Sequence, residues 1–401
     1  MLFANPNATR TPYPRALQAL MNIGQANESR QWLAHWPQLR ATGTPLYDLP
    51  DLAVELGVGQ VRVKDESVRS PLGSFKALGA PIALVRLILR TFPEHGFTAA
   101  DLFAGRHASQ LAGFSVVSAT DGNHGRALAA AAQSVGCRCV IVLHAHVSVE
   151  REQAIAAYGA QIVQIEGNYD ASVAHAAALA QAHGWQVVSD TSYDGYEQIP
   201  GDVMQGYGTL AAELVEASGQ DPAFTHVFLQ GGVGGLAAGI VSYLWELMGE
   251  QRPTFIVVEP KQADCLLQSA MAGQPRAASG SVDSLMAGLA CGETSPLAWR
   301  FLQPSVDFFM TLDDCDAVAA MRRLAQGSAR DIPLLAGESA VAGLAGLARL
   351  MAVPALAAQV GLGRDSRVLL ISTEGATAPA LYTELVGETP ASVLARQRAW
   401  R

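Results

Sequence analysis

The chain has 401 residues, too many for one small core, so a division into two domains is expected. Half of the residues are apolar and 16% are charged, which excludes a disordered chain. A net charge of -9, from 27 basic and 36 acidic residues, argues against nucleic acid as a partner, and no polybasic run offers a membrane contact.

Strand-then-helix units repeat along the chain. Val61–Lys64 reads as a short strand, followed by a glycine-containing loop and a helix from about Lys76 to Arg90. Phe114–Ala119 is a second strand, leading through Gly122-Asn-His-Gly125 into an alanine-rich helix that ends near Val135. Cys139–Leu143 precedes a helix from about Val149 to Tyr158; Gln161–Ile165 and Trp185–Ser189 flank a helix of roughly Ala171 to Ala182. The rhythm breaks at Ile199-Pro-Gly201, and a long helix from about Asp202 to Ala217 is predicted. Strand 226–230, a glycine loop, a helix to about Met248 and strand 254–258 come next, and 274–285 reads as a mobile loop. A late strand, Val368–Ile371, ends in Ser372-Thr-Glu-Gly-Ala-Thr377. Continuous β-branched runs mean strands buried on both faces, so the class is α/β with mostly parallel twisted sheets flanked by helices.

The longest apolar stretches are broken by charge, at Arg86 and Arg90 in one and at Glu338 and Arg349 in another, so none reaches the ~20 residues of a bilayer span. The opening MLFANPNATRTPYP has no basic or apolar leader region, and no signal peptide is expected. Five cysteines are few and odd in number, and Cys137 and Cys139 stand too close for a zinc knuckle or redox dithiol. A cytoplasmic location without a structural metal is expected. Only three of the 27 basic residues are lysines: Lys64, Lys76 and Lys261.

Lys76 follows Ser70-Pro-Leu-Gly-Ser-Phe75 at the junction of a glycine loop and an apolar helix. Desolvation there would lower its pKa and expose a nucleophilic amine, whereas a plain surface lysine would be out of place near the positive end of a helix. Thr120-Asp121-Gly-Asn123-His-Gly125 directly follows a buried strand, where parallel sheets bind ligands; a helix-capping turn would need only one of these residues. Gly231-Gly232-Val233-Gly234-Gly235 lies between a strand and a helix, and its bare N–H groups form an anion cradle suited to phosphate. The same stretch also fits G-x-G-x-x-A from Gly232 to Ala237 with Glu259 ending the next strand, which leaves a nicotinamide-dependent oxidoreductase as a rival. Asp190 follows another strand as a second candidate base or a helix cap, and Ser372 and Thr373 end the late strand, where a hydroxyl could meet a ring nitrogen. A lysine amine, an asparagine turn and a phosphate cradle in one α/β chain together suggest pyridoxal 5'-phosphate (PLP).

With these motifs the chain resembles the fold type II PLP-dependent enzymes, the group of threonine dehydratase and the tryptophan synthase β-subunit. Within it the chain looks most like the diaminopropionate ammonia-lyases. The likeness rests on Val63-Lys-Asp-Glu-Ser67, Ser74-Phe-Lys76-Ala-Leu-Gly79, Ala119–Gly125, Gly167-Asn-Tyr-Asp170, Ile199-Pro with Met204–Gly208, Met286–Glu293, Gly337-Glu-Ser339 and Ile371–Gly375. It implies a large PLP-binding domain of 1–85 with 205–401, a small domain of 86–204, and a homodimer acting on a small amino acid. It implies that Lys76 carries PLP, Phe75 lines the ring, Asn123 bonds the ring oxygen, Gly231 to Gly235 hold the phosphate, and Ser372, or its neighbour Thr373, faces the ring nitrogen. Asp121 and Asp190 would serve as bases on opposite ring faces, for D and L substrates respectively; the alternatives are that they cap helices and that Lys76 takes the L-form proton. The implied reaction is α,β-elimination from 2,3-diaminopropionate to pyruvate and ammonia. Ala376-Thr-Ala378 stands where the family carries further acids, which leaves open a dehydratase of a β-hydroxy amino acid such as phenylserine or threonine. A PLP-binding protein without turnover is the third class.

Overall fold

The computed structural model describes residues 1–400 except 41, 121, 146, 168 and 220–223. Its strands are β1 (Leu2–Ala4), β2 (Leu46–Asp48), β3 (Gln60–Asp65), β4 (Ser115–Ala119), β5 (Arg138–His144), β6 (Gln161–Ile165), β7 (Gln186–Val187), β8 (His226–Gln230), β9 (Thr254–Pro260), β10 (Phe308–Leu312) and β11 (Arg367–Ser372). They form a seven-stranded sheet in the order β1-β10-β9-β8-β11-β3-β2 and a four-stranded sheet in the order β6-β5-β4-β7. Only β1 and β2, at the edges of the larger sheet, run antiparallel to their neighbours. The inner strands are buried along most of their length, as their continuous apolar runs require. The class is therefore the α/β class expected.

Several local expectations shift. Lys76 does not open a long helix: Phe75–Leu78 forms one 3₁₀ turn, and the α-helix begins after Gly79, over Ala80–Thr91. Ile199-Pro-Gly201 is no break, because the helix spans Gln198–Ser218 and already contains it. Pro200 sits in the first turn, where a backbone N–H has no intrahelical partner to lose. Strand pairing near Asp190 is confined to Gln186–Val187, extended by one bond from the Val188 amide to the Val117 carbonyl at 2.9 Å. Segment 274–285 has no regular element, but the Asp264 carboxylate accepts from the Ser279 amide at 2.7 Å, and that of Asp314 from the Leu285 amide at 2.9 Å.

The helix Gln198–Ser218 is the central beam, packed on the helices Ile23–Leu33, Ala80–Thr91 and Gly235–Met248. Gly206 makes one contact possible: a Cβ there would come within 2.2 Å of the Leu78 carbonyl oxygen. The missing side chain seats the Lys76 turn directly on the beam.

A buried charge cluster ties the same beam to β3. Lys64 is 1% exposed and structural. Its Nζ donates to Glu213 Oε2 at 2.6 Å and to the Thr44 carbonyl at 2.7 Å. Arg69 bonds Glu213 at 2.6 Å and Glu66 at 2.7 Å, so two cations face two carboxylates. Burial would raise the Glu213 carboxyl, but Arg69 and Lys64 outweigh it and bring it down to about 2. The loop that leads from Glu66 to Lys76 thus starts from a fixed point.

Candidate active site

The carboxyl ends of strands from both sheets border a cavity of about 390 Å³. Phe75, Lys76, Asn123, Asp190, Gly232, Val233, Gly234, Gly235 and Thr373 all line it. Loops separated by up to three hundred residues therefore converge, as parallel sheets dictate. Gly231 and Ser372 lie just behind this surface, and Asp121 falls outside the described residues.

Lys76 Nζ donates to Asp190 Oδ2, and both side chains are about one-fifth exposed. This pair reverses one expectation. Burial does push the lysine toward neutrality, but the adjacent Asp190 carboxylate outweighs it and holds the Lys76 pKa above the ordinary lysine value. Burial likewise opposes the Asp190 charge, and Lys76 wins again, keeping that carboxyl below its usual range. The Lys76 ammonium also stands 5.3 Å from the Phe75 ring centre and 6.0 Å from that of Tyr207. Asp190 caps no helix, since the next one begins at Gln198. The Val188 bond to β4 fixes it on one side. Ser192 fixes it on the other, where its Oγ lies 2.7 Å from Ser295 Oγ and accepts from the Leu297 amide at 2.9 Å.

Thr120 shapes the asparagine turn, its Oγ1 accepting from the amides of Gly122 and Gly125 at 3.3 Å each. What Gly125 approaches closely is that same residue: a Cβ would lie 2.2 Å from Thr120 Cγ2. Asn123 Nδ2 donates to Glu374 Oε2. His124 is buried against β7, with Nε2 2.9 Å from the Val188 carbonyl oxygen.

The glycine loop is packed so closely from behind that Gly231 and Gly234 have no room for a side chain. A Cβ on Gly231 would meet Glu259 Cγ at 2.5 Å, and one on Gly234, whose φ is 101°, would meet Leu302 Cδ1 at 2.8 Å. Gly235 opens the buried helix Gly235–Met248, so first-turn N–H groups and the positive dipole end face the cavity. Ser372 Oγ is buried without a hydrogen-bond partner among the described residues. An amine, an anion cradle and a waiting hydroxyl fit PLP. They do not fit a dinucleotide: Glu259 is fully buried and accepts from the Leu266 and Leu267 amides at 2.7 and 2.8 Å, which leaves no carboxylate for a ribose.

The site also holds groups to which the sequence gave no role. Tyr207 packs against Phe75 at 4.8 Å between ring centres with the rings tilted by 57°, and only its place among Gly206 and Gly208 hinted at a close approach. Two acids stand at this end of the cavity. Glu374 lines the cavity, and Glu338 lies beside it with Arg151 Nη2 at 3.4 Å. Burial, reinforced by the Glu374 charge, pushes the Glu338 carboxyl up to about 7.

The chain matches the family of pyridoxal-phosphate dependent enzymes over residues 38–374. It is 39% identical to a diaminopropionate ammonia-lyase of Salmonella typhimurium over 86% of this chain and 87% of that one. It is 38% identical to the diaminopropionate ammonia-lyase of Escherichia coli K12 over 92% and 93% of the two chains. A crystal structure of the Escherichia coli lyase, in complex with an aminoacrylate-PLP azomethine reaction intermediate, superposes with a TM-score of 0.86 over 96% of each chain at 36% identity.

Proposed function

Since the chain belongs to the pyridoxal-phosphate dependent enzymes and, within them, to the diaminopropionate ammonia-lyases, we infer that its cavity converts 2,3-diaminopropionate to pyruvate and ammonia. The observation that carries the inference is the Lys76–Asp190 pair beside the glycine cradle, an amine and a base in one cavity. Lys76 would hold the aldehyde of PLP, Asn123 its ring oxygen, Gly231 to Gly235 its phosphate, and Ser372, or Thr373 beside it, its ring nitrogen. When bound, PLP supplies a sink for the electron pair freed as the substrate Cα–H bond breaks.

Asp190 accepts the Cα proton of the L substrate. The freed pair becomes the Cα–Cβ double bond, and the Cβ–N bond breaks as the departing ammonia takes its own pair. Water then replaces the second nitrogen, so one diaminopropionate and one water give one pyruvate and two ammonia. Asp121 takes the same part for the D substrate. Phe75 and Tyr207 keep the cavity floor apolar. The same proposal includes two domains, 1–85 with 205–401 and 86–204, and a cytoplasmic homodimer.

A panel of L- and D-2,3-diaminopropionate, threonine, serine and phenylserine, assayed for ammonia and 2-oxo acid, tests the function. Pyruvate and ammonia from diaminopropionate in a 1:2 ratio are expected. Turnover of β-hydroxy amino acids without turnover of diaminopropionate would favour the dehydratase instead, and a coloured protein without any turnover would make it a binding protein.

Gly234→Asp tests the phosphate cradle. It forces a side chain at a left-handed backbone position against Leu302, Ala298 and Leu266 behind the loop, so the loop must shift and its N–H groups lose their aim at a bound dianion. PLP affinity should fall by at least about tenfold in equilibrium titration, the equivalent of ~1.4 kcal/mol. An unchanged affinity removes the loop from the phosphate's surroundings.

A further inference from the structure

His124 has no part in the roles assigned above, although it is only 3% exposed and borders the cavity. Its Nε2 lies 2.9 Å from the Val188 carbonyl oxygen, and a carbonyl can only accept, so Nε2 carries the hydrogen. Burial holds the imidazole pKa below its ordinary value and the ring is neutral, which makes Nδ1 a bare lone pair. Nδ1 has no hydrogen-bond partner among the described residues and faces Asp190 Oδ2 at 3.8 Å.

Two lone pairs directed at each other repel, and Lys76, which donates to that same Oδ2, offsets the repulsion. Among the described residues, Asp190 and Lys76 are the charged groups that bear on the ring. Once Asp190 holds a proton, the sign of the contact reverses: an O–H donor then faces a bare nitrogen in a dry setting, where such a bond is strong.

We propose that His124 is a positioning residue for Asp190, its Nδ1 accepting the hydrogen bond of the protonated carboxyl and so aiming and stabilising the acid form. The proposal rests on Asp190 being the base for the L substrate. The proton leaves the substrate carbon for Oδ2, the freed pair enters the new carbon–carbon double bond, and His124 gains only a hydrogen bond. A ring that merely filled space would need its Val188 bond and nothing at Nδ1.

Nitrogen-15 NMR of the histidine-labelled holoenzyme reads this without turnover. His124 should show a protonated Nε2 and a bare Nδ1, and Asp190→Asn, whose amide can donate, should shift the Nδ1 resonance upfield. A hydrogen on Nδ1, or an Nδ1 resonance indifferent to Asp190→Asn, overturns the proposal. His124→Gln keeps a donor for Val188, and its remaining acceptor, Oε1, branches from Cδ rather than Cγ, so no lone pair stands where Nδ1 faced Asp190. It should lower the L:D ratio of kcat about tenfold, the loss of one strong hydrogen bond, while KM for the L form stays unchanged. An equal loss on both enantiomers, or none, also overturns it. If Asp190→Asn spares L turnover, the base assignment itself falls; if Asp190→Asn loses that turnover while His124→Gln keeps the ratio, only the His124 proposal falls.

Discussion

Lys76→Ala abolishes turnover and leaves no cofactor covalently held. After borohydride treatment of the wild type, peptide mapping should find the reduced adduct on Lys76 alone. The other two lysines are accounted for: Lys64 is locked between Glu213 and Thr44, and Lys261 stands outside the cavity, 63% exposed beside Asp313. The loss should exceed the ~10²–10⁴-fold that a positioned proton-transfer group contributes, because attachment is lost as well. Asp190 changes too. Its carboxyl is held down by Lys76 against burial, so without the lysine burial prevails and its pKa rises. Asp190 in the variant therefore takes up a proton at a higher pH than in the wild type, a shift that carbon-13 NMR of the labelled carboxyl would follow. An adduct on Lys64 or Lys261 would refute the assignment.

Asp190→Asn and Asp121→Asn divide the two enantiomers. Elimination needs the Cα–H bond perpendicular to the ring, and the two enantiomers present that proton to opposite faces, so one base cannot reach both. Asp190→Asn should lose L-diaminopropionate turnover by ~10²–10⁴-fold and largely spare the D form, and Asp121→Asn should do the reverse. Steady-state kcat on each pure enantiomer checks this. Equal losses in both variants would end the two-base scheme, and a spared L activity in Asp190→Asn would hand the L-form proton to Lys76.

What could be read from the chain alone was what local chemistry encodes. Glycines after short apolar strands mark β8 with its cradle and β4 with the Asn123 turn, because buried parallel strands and tight approaches leave strong local signals. The pairing of Lys76 with Asp190 spans 114 residues, and no spacing rule connects them. That pairing is also why the expected fall in the lysine pKa became a rise: desolvation was foreseen, its counter-charge was not. Tyr207 looked like any core aromatic of a helix. Glu338 and Glu374 stood in segments matched to the family but had no role from sequence, since their meeting depends on how the turn near Gly337 folds against Gly375. Pro200 misled because a proline in a first helical turn and a proline at a break look the same in one dimension.

The distribution of lysines has a consequence for handling the protein. One lies in the core, one in the cavity and one, Lys261, on the surface. Aldehydes in solution condense with exposed amines, so a surface with a single lysine side chain offers little to trap excess cofactor or a reactive carbonyl product. For the same reason an amine-directed label or resin would take hold of the side chains at one defined point, on the loop after β9, and leave the mouth of the cavity clear.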